Sequence, residues 1–313
     1  MKKLLSLSLA ILLLAAIVVI PTYAAEAITP DTTTWYGDGN ADVFELDSAE
    51  DVLGFFKLLA SQTSLFDGKT VLLTADVDLN PGWDASTMTD GTNKLASVPG
   101  STFGGNFVFD GQGHTIKGLF ANPASNNTGI FGQAFTGADV TICNVRFINS
   151  YVKIYTSWRN CGLIYASGNA KVTIDNVYSE MNCKGKGRTD SFGSAFTGNM
   201  APDTTTVIRN SVYAGKITSA TCCGAFIGQN KGTATLENCA FYGSVEDGTT
   251  SENCSGLVDN NLGTLNIKNC ISAGTVTANG KGNVNTICRN AQGTVTAENN
   301  LYDSLFFSPI MQR

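Results

Sequence analysis

An asparagine that returns every thirty or so residues behind the same alternating pattern constrains this chain more than any other feature. "VTICN" ends at Asn144, "VTIDN" at Asn176, "TVIRN" at Asn210, "ATLEN" at Asn238, "LNIKN" at Asn269 and "VTAEN" at Asn299, at intervals of 32, 34, 28, 31 and 30 residues. A sustained period of this length decides a fold before local propensity does. Two further steps of 34 residues backwards reach Asp110 in "FVFDGQG" and Asp76 in "VLLTAD", so about eight turns are expected across residues 70–303.

The residues before each asparagine alternate. Ile142, Ile174, Ile208, Leu236, Ile267 and Ala297 stand two places ahead of it, and Val140, Val172, Thr206, Ala234, Leu265 and Val295 stand four ahead. A period of two rich in β-branched residues describes a strand with one buried face. A second apolar stretch follows the asparagine, and a third carries glycine, as in "GIFGQAF" and "CGAFIGQN". Three short strands per repeat, with glycine and asparagine at the corners, exclude helical repeats, which need a 3.6 period, and propeller blades, which need four strands. The expected fold is all-β, a right-handed parallel β-helix solenoid of about eight coils with an N-terminal capping strand and helix.

In such a solenoid equivalent residues stack about 4.8 Å apart. The repeated asparagine is then expected to form an internal amide ladder that satisfies a buried corner. The residue before it reads Cys143, Asp175, Arg209, Glu237, Lys268 and Glu298, alternating in sign from Asp175 onward. Alternation places each acid beside a base and avoids stacked like charges, so this column reads as scaffold.

Ahead of the coils, "DSAEDVLGFFKLLASQ" carries a helix signature: Asp47 or Ser48 can cap it, acids fill its first turn, and Val52, Phe55, Phe56 and Leu59 share a face. Its expected place is over the first coil, whose open end would otherwise expose backbone and core. Residues 1–27 read as a signal peptide: Lys2 and Lys3, then an uncharged apolar run from Leu4 to Ile20, then small residues suited to cleavage after Ala24, Ala25 or Ala27. The domain plan is therefore leader 1–27, cap 28–69, coils 70–303 and a short apolar tail 304–313. A secreted, extracellular or cell-surface location follows, with no transmembrane domain after cleavage.

Without Lys2 and Lys3 there remain 18 basic against 26 acidic side chains, which disfavours nucleic acid as a partner because phosphate binding needs clustered cations. The nine cysteines contain no Cys-x-x-Cys pair, so a zinc site is not expected. Cys239 and Cys270 both follow a ladder asparagine; Cys161 and Cys223 both precede a glycine, with Cys254 one place further off. Parallel stacking at 4.8 Å exceeds the usual disulfide Cβ separation, which favours buried reduced thiols.

The runs "DVFELDSAEDVLGFFKLLA", "GKTVLLTADVDLN" and "FGGNFVFDGQGHTIKGLF", followed by "GIFGQ", resemble the capping region and first coils of secreted bacterial surface proteins with GLUG-type repeats. That resemblance implies a right-handed parallel β-helix of the pectin-lyase-like superfold. It also implies a stalk, an adhesive surface or a module joined to a catalytic domain, surface metalloproteases included. The chain has no His-Glu-x-x-His and one histidine, so protease chemistry is not carried over.

His114 in "GQGHT" lies in a glycine-rich corner and reads as a turn residue rather than a catalytic one, and no helix follows to make that corner a phosphate loop. Asp76 and Asp78 share a strand face with no loop to wrap a calcium ion, so neither cofactor nor metal is expected. One region departs from scaffold. Counting from the ladder asparagines sets Lys153, Tyr155, Trp158 and Arg159 of one coil beside Lys184, Lys186 and Arg188 of the next, while the following coils are neutral ("TSATCC") and acidic ("VEDGTTSEN"). Cations with aromatics suit an acidic sugar, because arginine pairs with carboxylates and tryptophan covers a pyranose face.

The expected function is a non-catalytic adhesive or carbohydrate-contacting module or spacer, whose partner is an extracellular polysaccharide or cell-surface glycan. It would act as a monomer or within a larger surface assembly. The enzymatic alternative is a polysaccharide lyase or glycoside hydrolase acting on acidic polysaccharide. A hydrolase would need paired carboxylates, and no such cluster accompanies these cations.

Overall fold

A computed structural model describes residues 27–302 apart from 63, 88–96, 99–101, 104, 122–128, 154–161, 186–191, 220–221, 248–252 and 279–283. The expected signal peptide 1–27, apart from residue 27, and the expected tail 304–313 lie outside the described residues. The chain is an all-β parallel solenoid. Its long sheet runs through Val43–Leu46, Lys69–Leu73, Phe107–Asp110, Asp139–Ile148, Lys171–Ser179, Thr205–Arg209, Thr233–Glu237, Thr264–Lys268 and Thr294–Glu298, in sequence order. After the capping strand Val43–Leu46, eight strands of this sheet span about seven turns, each paired in parallel with the one before. A strand, a crossover and a parallel strand repeated in one sense give a right-handed coil, so the architecture is that of a right-handed parallel β-helix.

Register turns sequence period into vertical neighbourhood. Ile142, Ile174, Ile208, Leu236 and Ile267 are in-register partners from coil to coil, and all are buried. Aromatic stacks run beside them: Phe196 lies 4.8 Å from Phe226, and Tyr213 lies 6.1 Å from Phe241 with the rings nearly parallel.

The N-terminal end is closed by the helix Ala49–Ser61. Ser48 caps it, its Oγ accepting from the Asp51 backbone N–H at 3.2 Å, and Glu50 and Asp51 occupy the first turn. Phe55 meets Phe66 and Phe109 at 5.1 and 5.6 Å, and Phe56 meets Phe131 at 5.3 Å, so the apolar helix face fills the mouth of the first coil. At the other end the strand Thr294–Glu298 is largely exposed, and Leu301 and Tyr302 are 66% and 57% exposed.

The asparagine corner is an edge, not an interior. Asn144, Asn176, Asn210, Asn238, Asn269 and Asn299 all have φ between 52° and 54°, a left-handed conformation that asparagine tolerates better than other side-chain-bearing residues. Their amides form a ladder on the exposed side: Asn176 Nδ2 donates to Asn144 Oδ1 at 2.9 Å, Asn238 to Asn210 at 3.0 Å and Asn269 to Asn238 at 3.2 Å. One rung is diverted, since Asn210 Nδ2 donates to Asp175 Oδ1 at 2.8 Å. The expectation of an internal ladder is corrected accordingly. What selects asparagine is the backbone angle, and the amide bonds follow.

The backward extension of the repeat also shifts by one. Asp110 pairs with Cys143 and Leu72 with Asp110, so Gly111 rather than Asp110 lies beneath Asn144, and Asp76 falls outside the column. The alternating-charge column itself holds, with Asp175, Arg209, Glu237, Lys268 and Glu298 in register. Arg209 Nη2 lies 2.8 Å from Asp175, and Lys268 Nζ lies 3.4 Å from Glu298.

A coil holds more than three strands, because glycine bends its second and third sides. In one coil the chain passes through Thr205–Arg209, Val212–Tyr213, Lys216–Ser219, Cys222–Gly224 and Ile227–Asn230. Gly215, Gly243 and Gly274 stack at one bend: a Cβ on Gly243 would lie 2.0 Å from the Gly215 carbonyl oxygen, closer than any side chain permits. Gly232, Gly263 and Gly293 stack likewise at another.

Candidate glycan-contacting face

The second face of the solenoid is a parallel sheet that includes Phe120–Ala121, Tyr151–Lys153, Asn182–Lys184, Lys216–Ser219, Ser244–Asp247 and Thr275–Thr277. Alternation divides each strand. Val152, Cys183, Ile217, Val245 and Val276 are buried in the core, so the residues either side of them face outward. Lys153, Lys184, Thr218, Glu246 and Thr277 form one outward column in strict register. The charge gradient expected along the coils is therefore physical at these positions: two stacked lysines, then a threonine, then an acid.

Of the seven predicted site residues, Lys153 and Lys184 are brought together as in-register partners. Tyr155, Trp158 and Arg159 lie in 154–161, and Lys186 and Arg188 in 186–191, all outside the described residues. In the neighbouring outward column Tyr151 is covered by Trp83, Ala85 and Phe120 and belongs to a small satellite core rather than to the open surface.

Beside the lysines, where the Gly215 and Gly243 backbones are bare, lies a shallow, open depression lined by Glu180, Asn182, Ala214, Gly215, Lys216, Gly243 and Ser244. Lys216 Nζ is held by Glu246 Oε2 at 2.9 Å. The Tyr178 hydroxyl donates to Glu180 Oε1 at 2.5 Å, and Arg146 lies 5.2 Å from the centre of the Tyr178 ring. The bond to Glu180, with burial second, pushes the Tyr178 hydroxyl pKa upward. The sequence reading missed this depression. Its one signal was the glycine five places after Asn210, Asn238 and Asn269, which marks a bend without showing that the bend is concave.

Other candidate chemistry resolves into scaffold. His114 Nδ1 lies 3.2 Å from Asp76 Oδ1, and the Thr115 backbone N–H donates to the same oxygen at 2.8 Å. That backbone bond, ahead of the histidine, holds the Asp76 carboxyl below its ordinary range. Asp78 pairs separately with Lys117 at 2.8 Å and accepts from the Asn80 N–H at 3.1 Å. Among the described residues no cluster of three or more His, Cys, Asp or Glu could hold a metal ion.

The seven cysteines whose side chains are described form no disulfide, and five of them are buried. Cys254 is in register with Cys223, not one place off as the glycine alignment implied; Cys161 lies outside the described residues. Burial pushes the Cys183 and Cys288 thiols up to about 12, and burial together with the Asp110 and Asp175 carboxylates does the same to Cys143.

A second asparagine ladder went unread in the sequence. Asn230 Nδ2 donates to Asn261 Oδ1 at 2.8 Å, and Asn261 Nδ2 to Asn290 Oδ1 at 3.0 Å. Asn230 and Asn261 are fully buried, so this is the interior ladder. Next to it Asp259, also fully buried, is bound by Arg289 Nη2 at 3.1 Å and by Ser255 Oγ at 3.0 Å.

No family model matches the chain, and no curated protein does. Among solved structures it is similar to a "putative immunoglobulin A1 protease" from Bacteroides ovatus, with a TM-score of 0.56 and 18% identity over 83% of this chain and 74% of that one. A likeness at that identity establishes the solenoid fold and nothing finer.

Proposed function

We propose that the chain is an exported, non-catalytic β-helix module that binds an acidic glycan along its second face. The observation that carries this reading is the in-register stack of Lys153 on Lys184. Register sets these two lysines on adjacent coils of an otherwise acidic protein, a local concentration of basic residues. That pair is favourable to a carboxylated or sulfated sugar and unfavourable to a neutral surface contact. The neighbouring segments containing Tyr155, Trp158, Arg159, Lys186 and Arg188 add cations and aromatics by sequence. Export is the reading of residues 1–27, and the GLUG-type resemblance supports a cell-surface setting. The activity named for the Bacteroides ovatus protein is not transferred, since the chain has a single histidine and that residue is engaged with Asp76.

The test is titration of the chain lacking its leader with polygalacturonate oligomers at two salt concentrations. Binding is expected to weaken as salt rises and to fall about tenfold in Lys184→Ala. No binding, or binding untouched by Lys153→Ala and Lys184→Ala, overturns the reading. Release of unsaturated uronides in the presence of calcium would replace it with the lyase.

A further inference from the structure

Two cysteines lie one above the other just inside the asparagine edge. Val177, Ser211, Cys239, Cys270 and Asn300 each follow a ladder asparagine. Each also precedes a residue of one in-register series, Tyr178, Val212, Ala240, Ile271 and Leu301. They therefore form a single inward column, and its first four members are buried. The column follows one hydrogen-bonding rule: the backbone N–H of each coil points at the side chain of the next. The Val177 N–H donates to Ser211 Oγ at 3.2 Å, and the Cys270 N–H donates to Asn300 Oδ1 at 2.8 Å. Between them the Ser211 N–H is aimed at Cys239 Sγ and the Cys239 N–H at Cys270 Sγ. We infer that Cys239 and Cys270 form a two-coordinate site for a soft monovalent cation, copper(I) being the physiological member of that class.

Spacing decides between the chemistries open to two thiols. Equivalent atoms of adjacent coils stand about 4.8 Å apart. A disulfide needs its sulfurs about 2.05 Å apart and its Cβ atoms about 3.8 Å apart, so closing one would disturb the pairing of Ala240 with Ile271. A bond from a thiolate sulfur to a metal ion is about 2.3 Å, and two in line span about 4.6 Å, which undistorted coils already provide. No third His, Cys, Asp or Glu joins the pair among the described residues, so the donor set suits linear coordination of a soft ion rather than a tetrahedral zinc site.

Loading exchanges protons for metal. Both S–H bonds break, two S–Cu bonds form, two protons pass to solvent, and no oxidation state changes. The hydrogen bond that the Cys239 thiol gives to the Cys270 sulfur holds Cys270 below the ordinary thiol range, against the opposing effect of burial. Cys270 is therefore the sulfur that gives up its proton first. The Glu237 and Lys268 carbonyl oxygens, 3.3 Å from Cys239 Sγ and Cys270 Sγ, are further acceptors for the thiol protons before the ion enters. The two backbone N–H groups remain aimed at the thiolates and offset the net negative charge of an S–Cu–S unit. The site lies one residue inside the exposed asparagine edge, so an ion reaches it by local opening of that corner. The pair faces the core and neither adds to nor depends on the glycan-contacting face.

The experiment titrates the reduced chain lacking its leader with copper(I) under anaerobic conditions, against a competing copper(I) chelator, and reads the metal's neighbours by X-ray absorption. About one tightly held ion per chain, with two sulfur neighbours, is expected. Cys239→Ser and Cys270→Ser should each weaken retention at least about a hundredfold. Both should stay folded by thermal melting, because Ser211 shows that this column accepts a hydroxyl. Cys223 and Cys254, in register on another side of the solenoid, are the internal comparison, and replacing both by serine should leave retention unchanged. If the parent holds no copper(I), if retention survives both Cys239→Ser and Cys270→Ser, or if it is lost with Cys223 and Cys254 instead, the site does not exist. A chain that comes out lighter by two hydrogens after exposure to air, with Cys239 and Cys270 resistant to alkylation even when unfolded, would replace the metal site with a disulfide.

Discussion

Single residues in this fold are chosen by backbone angle and by the proton inventory of the core. Asn238 holds φ at 54° and both donates to Asn210 and accepts from Asn269. Asn238→Ala is expected to cost about 1 to 2 kcal/mol, mostly left-handed strain, and Asn238→Gly less, because glycine keeps the angle and loses only the exposed amide bonds. Urea midpoints of the two variants check the order; if glycine is the worse, the ladder rather than the angle is what the corner needs. The thiols make a second prediction. Burial above all pushes the Cys143, Cys183 and Cys288 thiols up to about 12 from the ordinary thiol range near 9. The native state keeps protons that the unfolded chain releases, so their contribution to stability is complete below pH 9 and is lost as pH climbs toward 12. Denaturation midpoints measured from pH 8 to 11 should fall, and fall less steeply in Cys183→Ala. Alkylation of Cys183 at pH 8 should be slow until the chain is unfolded.

At the scale of elements, bends are set by how closely successive backbones approach. Gly243→Ala places a methyl 2.0 Å from the Gly215 carbonyl oxygen, and neither backbone can yield without breaking the pairing of Lys216–Ser219 with Ser244–Asp247. A loss of about 1 to 3 kcal/mol is expected, read by denaturation, with hydrogen exchange quickened first at those two strands. This also explains what the sequence could disclose. The first strand and its corner were legible because alternation and a left-handed asparagine each leave a residue-specific mark. The bent second side was not, since Val212–Tyr213 and Lys216–Ser219 read as one stretch unless the glycine between them is known to meet another backbone. The Asp110 slip has a similar origin: counting 34 residues matches an acid to an amide, whereas the ladder pairs Asp110 with Cys143. The Asn230–Asn261–Asn290 ladder, buried at its first two members, was hidden because no alternating apolar pattern frames it. On the second face, the juxtaposition of Lys153 with Lys184 was legible by counting from their asparagines. The adjoining depression was not, because concavity arises from bare backbone and carries no motif.

As a whole molecule the solenoid is a stack whose ends differ. One end is plugged by the helix Ala49–Ser61, where Phe55 touches rings from the cap and from the first coils. Phe55→Ala is expected to cost about 3 to 5 kcal/mol and to let chains associate through the uncovered mouth, seen as a concentration-dependent rise in mass by light scattering. Between the ends, the order Asp175, Arg209, Glu237, Lys268, Glu298 gives the stack a parity. Excising the single winding that bears Arg209 would seat Asp175 under Glu237, acid on acid, whereas excising two would seat it under Lys268. Shortening or lengthening this molecule is therefore electrostatically neutral in even steps and penalised in odd ones.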